Sequence, residues 1–139
     1  MTEIDFYVLP GSAPGKREVL ACRLAEKAWS LGHEVFVNTP DASVARQLDE
    51  LLWSFRDISF VPHALAGNGE SAPVLIGAGA EPPASSYLLI NLAAEVPAFF
   101  SRFERVAEIV SEEPAVRDAG RERFRFYRDR GYSLRTHKL

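Results

Sequence analysis

Residues 4–38 read IDFYVLPGSAPGKREVLACRLAEKAWSLGHEVFVN, and the change of hydrophobic period along them decides the fold. Residues 4–9 are a short apolar run closed by Pro10 and Gly11, the composition of a buried strand. From Lys16 onward, Leu20, Leu24, Ala28 and Leu31 recur at helical spacing, and Gly32 supplies the stop. Residues 34–38 (EVFVN) return to strand composition. Strand, helix and strand in succession predict a right-handed βαβ unit, whose strands run parallel because the helix carries the chain back across the sheet.

The pattern continues outward. Pro40, Asp41 and Ser43 open a second helix whose apolar seam is Val44, Leu48, Leu51 and Leu52. Residues 73–77 (PVLIG) and 87–92 (YLLINL) read as strands on either side of GAEPPASS, a link whose prolines and glycine forbid a helix. A short helix is predicted at 99–103, a strand at 105–110 (RVAEIV), and a final helix from about 112 to 130, stopped by Gly131. There is no internal repeat and no low-complexity segment. The prediction is one three-layer α/β/α domain over residues 1–139, built on a mostly parallel sheet.

With 139 residues, such a domain removes roughly two thirds of its unfolded surface from water without staples. A single Cys excludes a disulfide scaffold. The opening MTEIDFYVLPG fits neither a signal peptide nor a transit peptide, and no apolar run reaches the length of a membrane span, so a cytoplasmic protein without membrane contact is expected. The net charge of −3 conceals a division. Eight basic and three acidic residues lie between 117 and 139, giving that end +5, while eight basic and sixteen acidic residues give the remainder −8. A basic face on an acidic body predicts an anionic partner met at one place.

Most candidate chemistry dissolves on inspection. The loop after the first strand, from Gly11 to Lys16 in GSAPGKRE, lies where a phosphate-binding loop would. A Walker A loop needs four residues between its glycines and a hydroxyl after the Lys. Here three residues separate Gly11 from Gly15, Pro14 has no N–H to offer, and Arg17 replaces the hydroxyl. A nucleotide-binding enzyme using this loop and an ordinary strand-to-helix connection are the two readings left open. Cys22 falls beside a helical seam and reads as a small buried hydrophobe. His33, His63 and His137 are too scattered for a metal site, and His63 after Pro62 suits a local hydrogen bond. Asp49-Glu50 and Glu112-Glu113 are adjacent and so diverge on a helix; the second pair suits a helix N-terminus.

Two stretches remain. In GRERFRFYRDRGYSLRT (120–136), Arg121, Arg125 and Arg128 recur at helical spacing, and Phe124 shares their face. Guanidinium forks beside a ring suit a carboxylate that carries an apolar side chain. A solvated basic helix with Phe124 and Tyr127 packed inward, or a nucleic-acid groove, fits the same residues. In LLWSFRDISFVPHALAG (51–67), the aromatic residues suit a core, a pocket or a docking surface alike.

Taken together, FYVL, LAEKAWSLGHEVFV, RQLDELLWSF, FVPHALAGNGESAPVLI, LLINL and RERFRFYRDRGYSL resemble, in this order, the chi subunit family of bacterial DNA polymerase III. The resemblance implies a Rossmann-like fold without a working nucleotide site, and a non-catalytic replication adaptor with no cofactor. Its partners would be the psi subunit of the clamp-loader complex and the acidic C-terminal tail of single-stranded DNA-binding protein, which ends in Pro-Phe. On this resemblance no tight binding of DNA by the chain itself is expected. By position, the tail would meet Val110, Arg121, Phe124 and Arg125, with Arg128 nearby. The family has Tyr and Lys at the positions of Phe124 and Arg125, so the ring and the charge are retained here while a hydroxyl is lost. Psi would dock on Trp53, Phe60, Val61, Pro62 and His63, and Phe55 is left to the core.

Overall fold

The computed structural model describes residues 1–54, 61–67, 69, 71–83 and 87–139. The chain runs β1 (Glu3–Val8), α1 (Lys16–Ser30), β2 (Val35–Asn38), α2 (Ala42–Ser54), β3 (His63–Leu65), β4 (Val74–Gly77) and β5 (Leu88–Asn91). After a single 3₁₀ turn at Phe100–Arg102 come β6 (Arg105–Val110), α3 (Pro114–Asp129) and β7 (Ser133–Lys138). The strands form one sheet in the order β3-β4-β2-β5-β6-β1-β7, and every pairing is parallel.

Strand alternation divides the core into two layers. Val35, Val37, Ile90, Ala107 and Ile109 meet the buried stripes of α1 and α2, with Cys22 and Leu48 among them. Ile4, Phe6, Phe36, Val106 and Val110 face the opposite way, toward Phe100 and the inner side of α3 at Tyr127. The α3 helix begins cleanly because Pro114 stands at its first position and the Glu113 side chain accepts the Val116 N–H at 2.9 Å.

The three-layer expectation holds, and the expected strands and helices appear with ends shifted by a residue or two. Two strands were missed. The three-residue β3 lies within the aromatic stretch that offered no strand period. The other, β7, reads SLRTHK, with too few apolar residues to announce a strand. As the outermost strand it needs only one ladder, to β1, and side-chain charge completes its attachment. Asp5 on β1 lies 2.9 Å from His137 Nε2, 3.2 Å from Arg135 Nε and 2.7 Å from Arg105 Nη2. The expectation for Phe55 falls outside the described residues.

Burial would push the Asp5 carboxyl up, but hydrogen bonds from His137 and Arg105, with the charges of Arg105 and Arg135, hold it below its ordinary value of 3.8. A depressed carboxylate stabilises the fold above that ordinary value, and its contribution disappears as pH falls through the lower folded value. Asp5→Asn should therefore lower the urea midpoint at about pH 7 by more than it does at an acid pH below the ordinary carboxylate value. An equal deficit at both pH values would mean that the charge of Asp5 does not attach β7.

Candidate functional site

The orientation of α3 is set from beneath by a buried polar group. Glu108 on β6 is fully buried, as are Tyr127 and, at 3% exposure, Arg123. Glu108 Oε1 accepts from Arg123 Nε at 2.7 Å, its Oε2 accepts from the Tyr127 hydroxyl at 2.7 Å, and Asn91 Nδ2 lies 3.1 Å from both oxygens. Arg123 Nη1 also donates to Ala94 O at 3.0 Å. Burial pushes the Glu108 carboxyl up, while Arg123, Tyr127 and Asn91 pull against that rise. The Tyr127 phenol is held far above its ordinary range, first by burial and then by the Glu108 charge. Arg123 and Tyr127 are four residues apart and occupy one side of the helix, so Arg117, Gly120, Arg121 and Phe124 must turn toward β1 and β7.

There they form one wall of a groove of about 380 Å³. Phe6, Val8 and Val110 make its floor, Arg117, Arg121 and Phe124 the helix side, and Thr136 and Lys138 the β7 side. Phe124 stands edge-on to Phe6 with centroids 5.3 Å apart. Gly120 lets the helix approach, since a Cβ there would lie 2.5 Å from Val110 Cγ1. Arg121 is 65% exposed and lies 4.0 Å from Asp118. Glu112, also at the rim, is engaged elsewhere, accepting the Gly11 N–H at 2.8 Å. The groove thus offers an apolar floor under an excess of positive charge, suited to a carboxylate attached to a ring.

Of the residues expected at a tail pocket, the fold brings Val110, Arg121 and Phe124 together. Arg125 and Arg128 lie outside the lining and pair with Glu122 at 2.7 Å and Asp129 at 3.1 Å. The inward-packing alternative holds for Tyr127, which is fully buried, while Phe124 is half-buried at the groove. Sequence reasoning missed Arg117, one helical turn before Arg121 and therefore findable by spacing. It had no means to find Thr136 and Lys138 without β7.

The second expected surface lies around the end of α2. Trp53 is 59% exposed and meets the His63 ring edge-on at 5.0 Å. His63 is enclosed, with Nδ1 2.7 Å from Val61 O and Nε2 3.1 Å from Asp49 O, as a local hydrogen-bonding role requires. Val61 is buried in the core beneath, and Pro62 is half-buried. Phe60 lies outside the described residues.

The loop from Gly11 to Lys16 is bound up by the chain itself. Gly11 and Glu112 exchange hydrogen bonds, Gly11 N–H to the Glu112 carboxylate and Glu112 N–H to Gly11 O at 2.9 Å. Arg17 Nε donates to Ile109 O at 3.0 Å and Nη2 to Leu92 O at 3.3 Å. Its side chain therefore lies across the carboxyl ends of β5 and β6, where an α/β sheet holds its ligands. Cys22 is buried, and desolvation, with Glu18 adding to it, pushes its thiol up to about 12, far from a nucleophile. Among the described residues no cluster of three or more potential metal ligands occurs, and no helix is long and apolar enough to cross a membrane.

Comparison with known proteins gives a consistent family. The family model described as DNA polymerase III chi subunit, HolC, matches residues 1–135. A DNA polymerase III subunit chi of Pseudomonas aeruginosa is 50% identical over 139 residues, covering 100% of this chain and 98% of the relative. Its namesakes in Escherichia coli and Haemophilus influenzae are 36% and 31% identical, each over more than nine tenths of both chains. Among solved structures, T4 UvsW superposes with a TM-score of 0.70 at 10% identity, covering 99% of this chain and 41% of that one, a likeness of fold alone.

Two substitutions test the architecture of the groove. Gly120→Ala should cost about 1–3 kcal/mol in urea denaturation, although Ala favours helix, because its methyl meets Val110. A neutral or stabilising result would mean that the helix does not rest on β6 at this point. Arg123→Met should cost about 3–5 kcal/mol by leaving Glu108 buried without its cation. A cost below about 1 kcal/mol would show that Glu108 is not held there as an ion.

Proposed function

The chain belongs to the DNA polymerase III chi subunit family and is a component of the replication machinery; from that premise we propose that it is a non-catalytic adaptor with two protein-binding surfaces. One takes the acidic C-terminal tail of single-stranded DNA-binding protein, and the other takes the psi subunit of the clamp-loader complex. The observation that carries the first assignment is the groove of Val110, Phe124 and Arg121. The terminal Phe of the tail would rest on Val110 and Phe6 beside Phe124, with its free carboxylate on Arg121. Arg125 and Arg128, beyond the lining, would act on the acidic residues that precede it.

Trp53 supports the second assignment. A large ring left mostly in water at a helix end, braced from below by His63, has the character of an interface anchor. Phe60 and Pro62 complete the proposed psi surface, while Val61, expected there from sequence, is buried in the core and the enclosed His63 ring supports Trp53 from below. A non-catalytic role is further supported by Arg17 and Glu112, whose hydrogen bonds to Ile109 O, Leu92 O and the Gly11 N–H engage these strand-end and loop groups with the chain's own side chains. The acidic remainder of the chain opposes tight binding of DNA. A cytoplasmic location follows from the replication role.

Titration with a fluorescent acidic peptide ending in Pro-Phe, and with its C-terminally amidated twin, tests the tail surface. The free acid alone should bind, and Arg121→Ala should weaken it by about tenfold or more while psi association is unchanged. Equal binding of acid and amide would remove the carboxylate from the assignment. Trp53→Ala should have the reverse effect, loosening psi by a similar factor without touching the peptide. Normal psi association in that variant would remove Trp53 from the interface.

A further inference from the structure

The groove opens onto an unpaired sheet edge. Among the described residues β7 is outermost and pairs only with β1. Leu139 N–H donates to Val8 O at 3.0 Å. In a strand, the main-chain groups of successive residues point alternately to either side. Ser133, Arg135 and His137 therefore direct theirs to β1, and Leu134, Thr136 and Lys138 direct theirs outward. The same alternation sends the side chains of Thr136 and Lys138 into the groove. An extended chain leaving the groove thus meets a row of N–H and C=O groups, without partners among the described residues, already in strand geometry.

Charge selects what can lie there. Lys138 makes no ion pair among the described residues, and Arg117 and Arg121 stand on the opposite wall. On the other face of the sheet Arg135 pairs with Glu3 and Asp5, and His137 Nε2 lies 2.9 Å from Asp5. A second copy of β7 would bring another Lys138 to the same edge and be repelled. An acidic segment is attracted.

We infer that β7 binds an acidic extended peptide by strand addition, with Leu134, Thr136 and Lys138 supplying the main-chain hydrogen bonds while the groove holds the peptide's terminal ring and carboxylate. The inference rests on the tail-binding reading of the groove proposed above. It adds a main-chain component to recognition, which side-chain substitutions leave untouched.

Thr136→Pro removes an outward N–H without removing a bond to β1, and an edge strand tolerates proline at such a position. Binding of a fluorescent acidic peptide ending in Pro-Phe should be weaker in Thr136→Pro than in Thr136→Val by about fivefold, the worth of one hydrogen bond. Independently, the peptide is N-methylated at alternate residues in the two possible registers. Only one register should lose affinity for the unmodified protein, a readout that holds even if Thr136→Pro folds poorly. If both registers bind as well as the parent peptide, strand addition is overturned and the groove reading stands. If the parent peptide itself does not bind, both fall together. A dimer of the protein alone, abolished by Thr136→Pro in sedimentation, would give the edge to a second copy and overturn the inference.

Discussion

Glu108 is the constraint to which the functional face answers. A carboxylate with no exposed surface costs several kcal/mol unless it is paired and hydrogen-bonded. The pairing here involves two residues of α3 at once, Arg123 and Tyr127, together with Asn91 on β5. A helix held on an apolar stripe alone tolerates rotation about its axis, because one aliphatic contact substitutes for another. A helix held by a guanidinium and a hydroxyl on opposite oxygens of one carboxylate has a single rotation. That rotation turns Arg121 and Phe124 to the groove and Arg125 away from it, while Arg128, two turns beyond Arg121 on nearly the same face, lies past its end. Gly120 then lets the helix approach closely enough for Val110 to serve as floor.

The same economy governs the carboxyl ends of this parallel sheet, away from the groove beside α3. At the carboxyl ends of β5 and β6, Arg17 satisfies two strand carbonyls, and Glu112 satisfies the first glycine amide of the neighbouring loop. The fold generates donors and acceptors there whatever the protein does, and they are expensive to leave unmet once partly buried. In a nucleotide-binding relative of this architecture a ligand would meet them. Here the chain's own side chains do so, and the groove lies between α3 and the edge of the sheet.

How much of this was legible follows from the kind of interaction involved. The βαβ unit was visible in residues 4–38 because burial on both faces of a strand and on one face of a helix leaves different periods. Arg121 and Phe124 were visible because a cation and a ring at helical spacing are unusual. Arg123 was not singled out. In sequence it is one more arginine in a basic helix, and its burial depends on Glu108, fifteen residues earlier on another element. β7 was hidden because its attachment to β1 is carried by a ladder and by Asp5, neither of which leaves an apolar pattern in SLRTHK. The rings of residues 51–67 suited a core, a pocket or a docking surface alike, and only the resemblance placed Trp53 on a surface.

Sheet order, finally, bears on how an adaptor could serve two partners at once. Trp53 and His63 belong to α2 and β3, at one end of the order β3-β4-β2-β5-β6-β1-β7, and the groove belongs to α3 and β7, at the other. Six inter-strand spacings of about 4.8 Å put the two edges roughly 29 Å apart. That is enough for a short peptide and a folded partner to be bound together without collision. Both edges are parts of one hydrogen-bonded sheet, so the separation is fixed by β-structure rather than by a linker. On the adaptor reading, the chain would hold its partners at a set distance, and each surface could change in sequence without disturbing the other, because sites so far apart with no shared neighbours contribute additively.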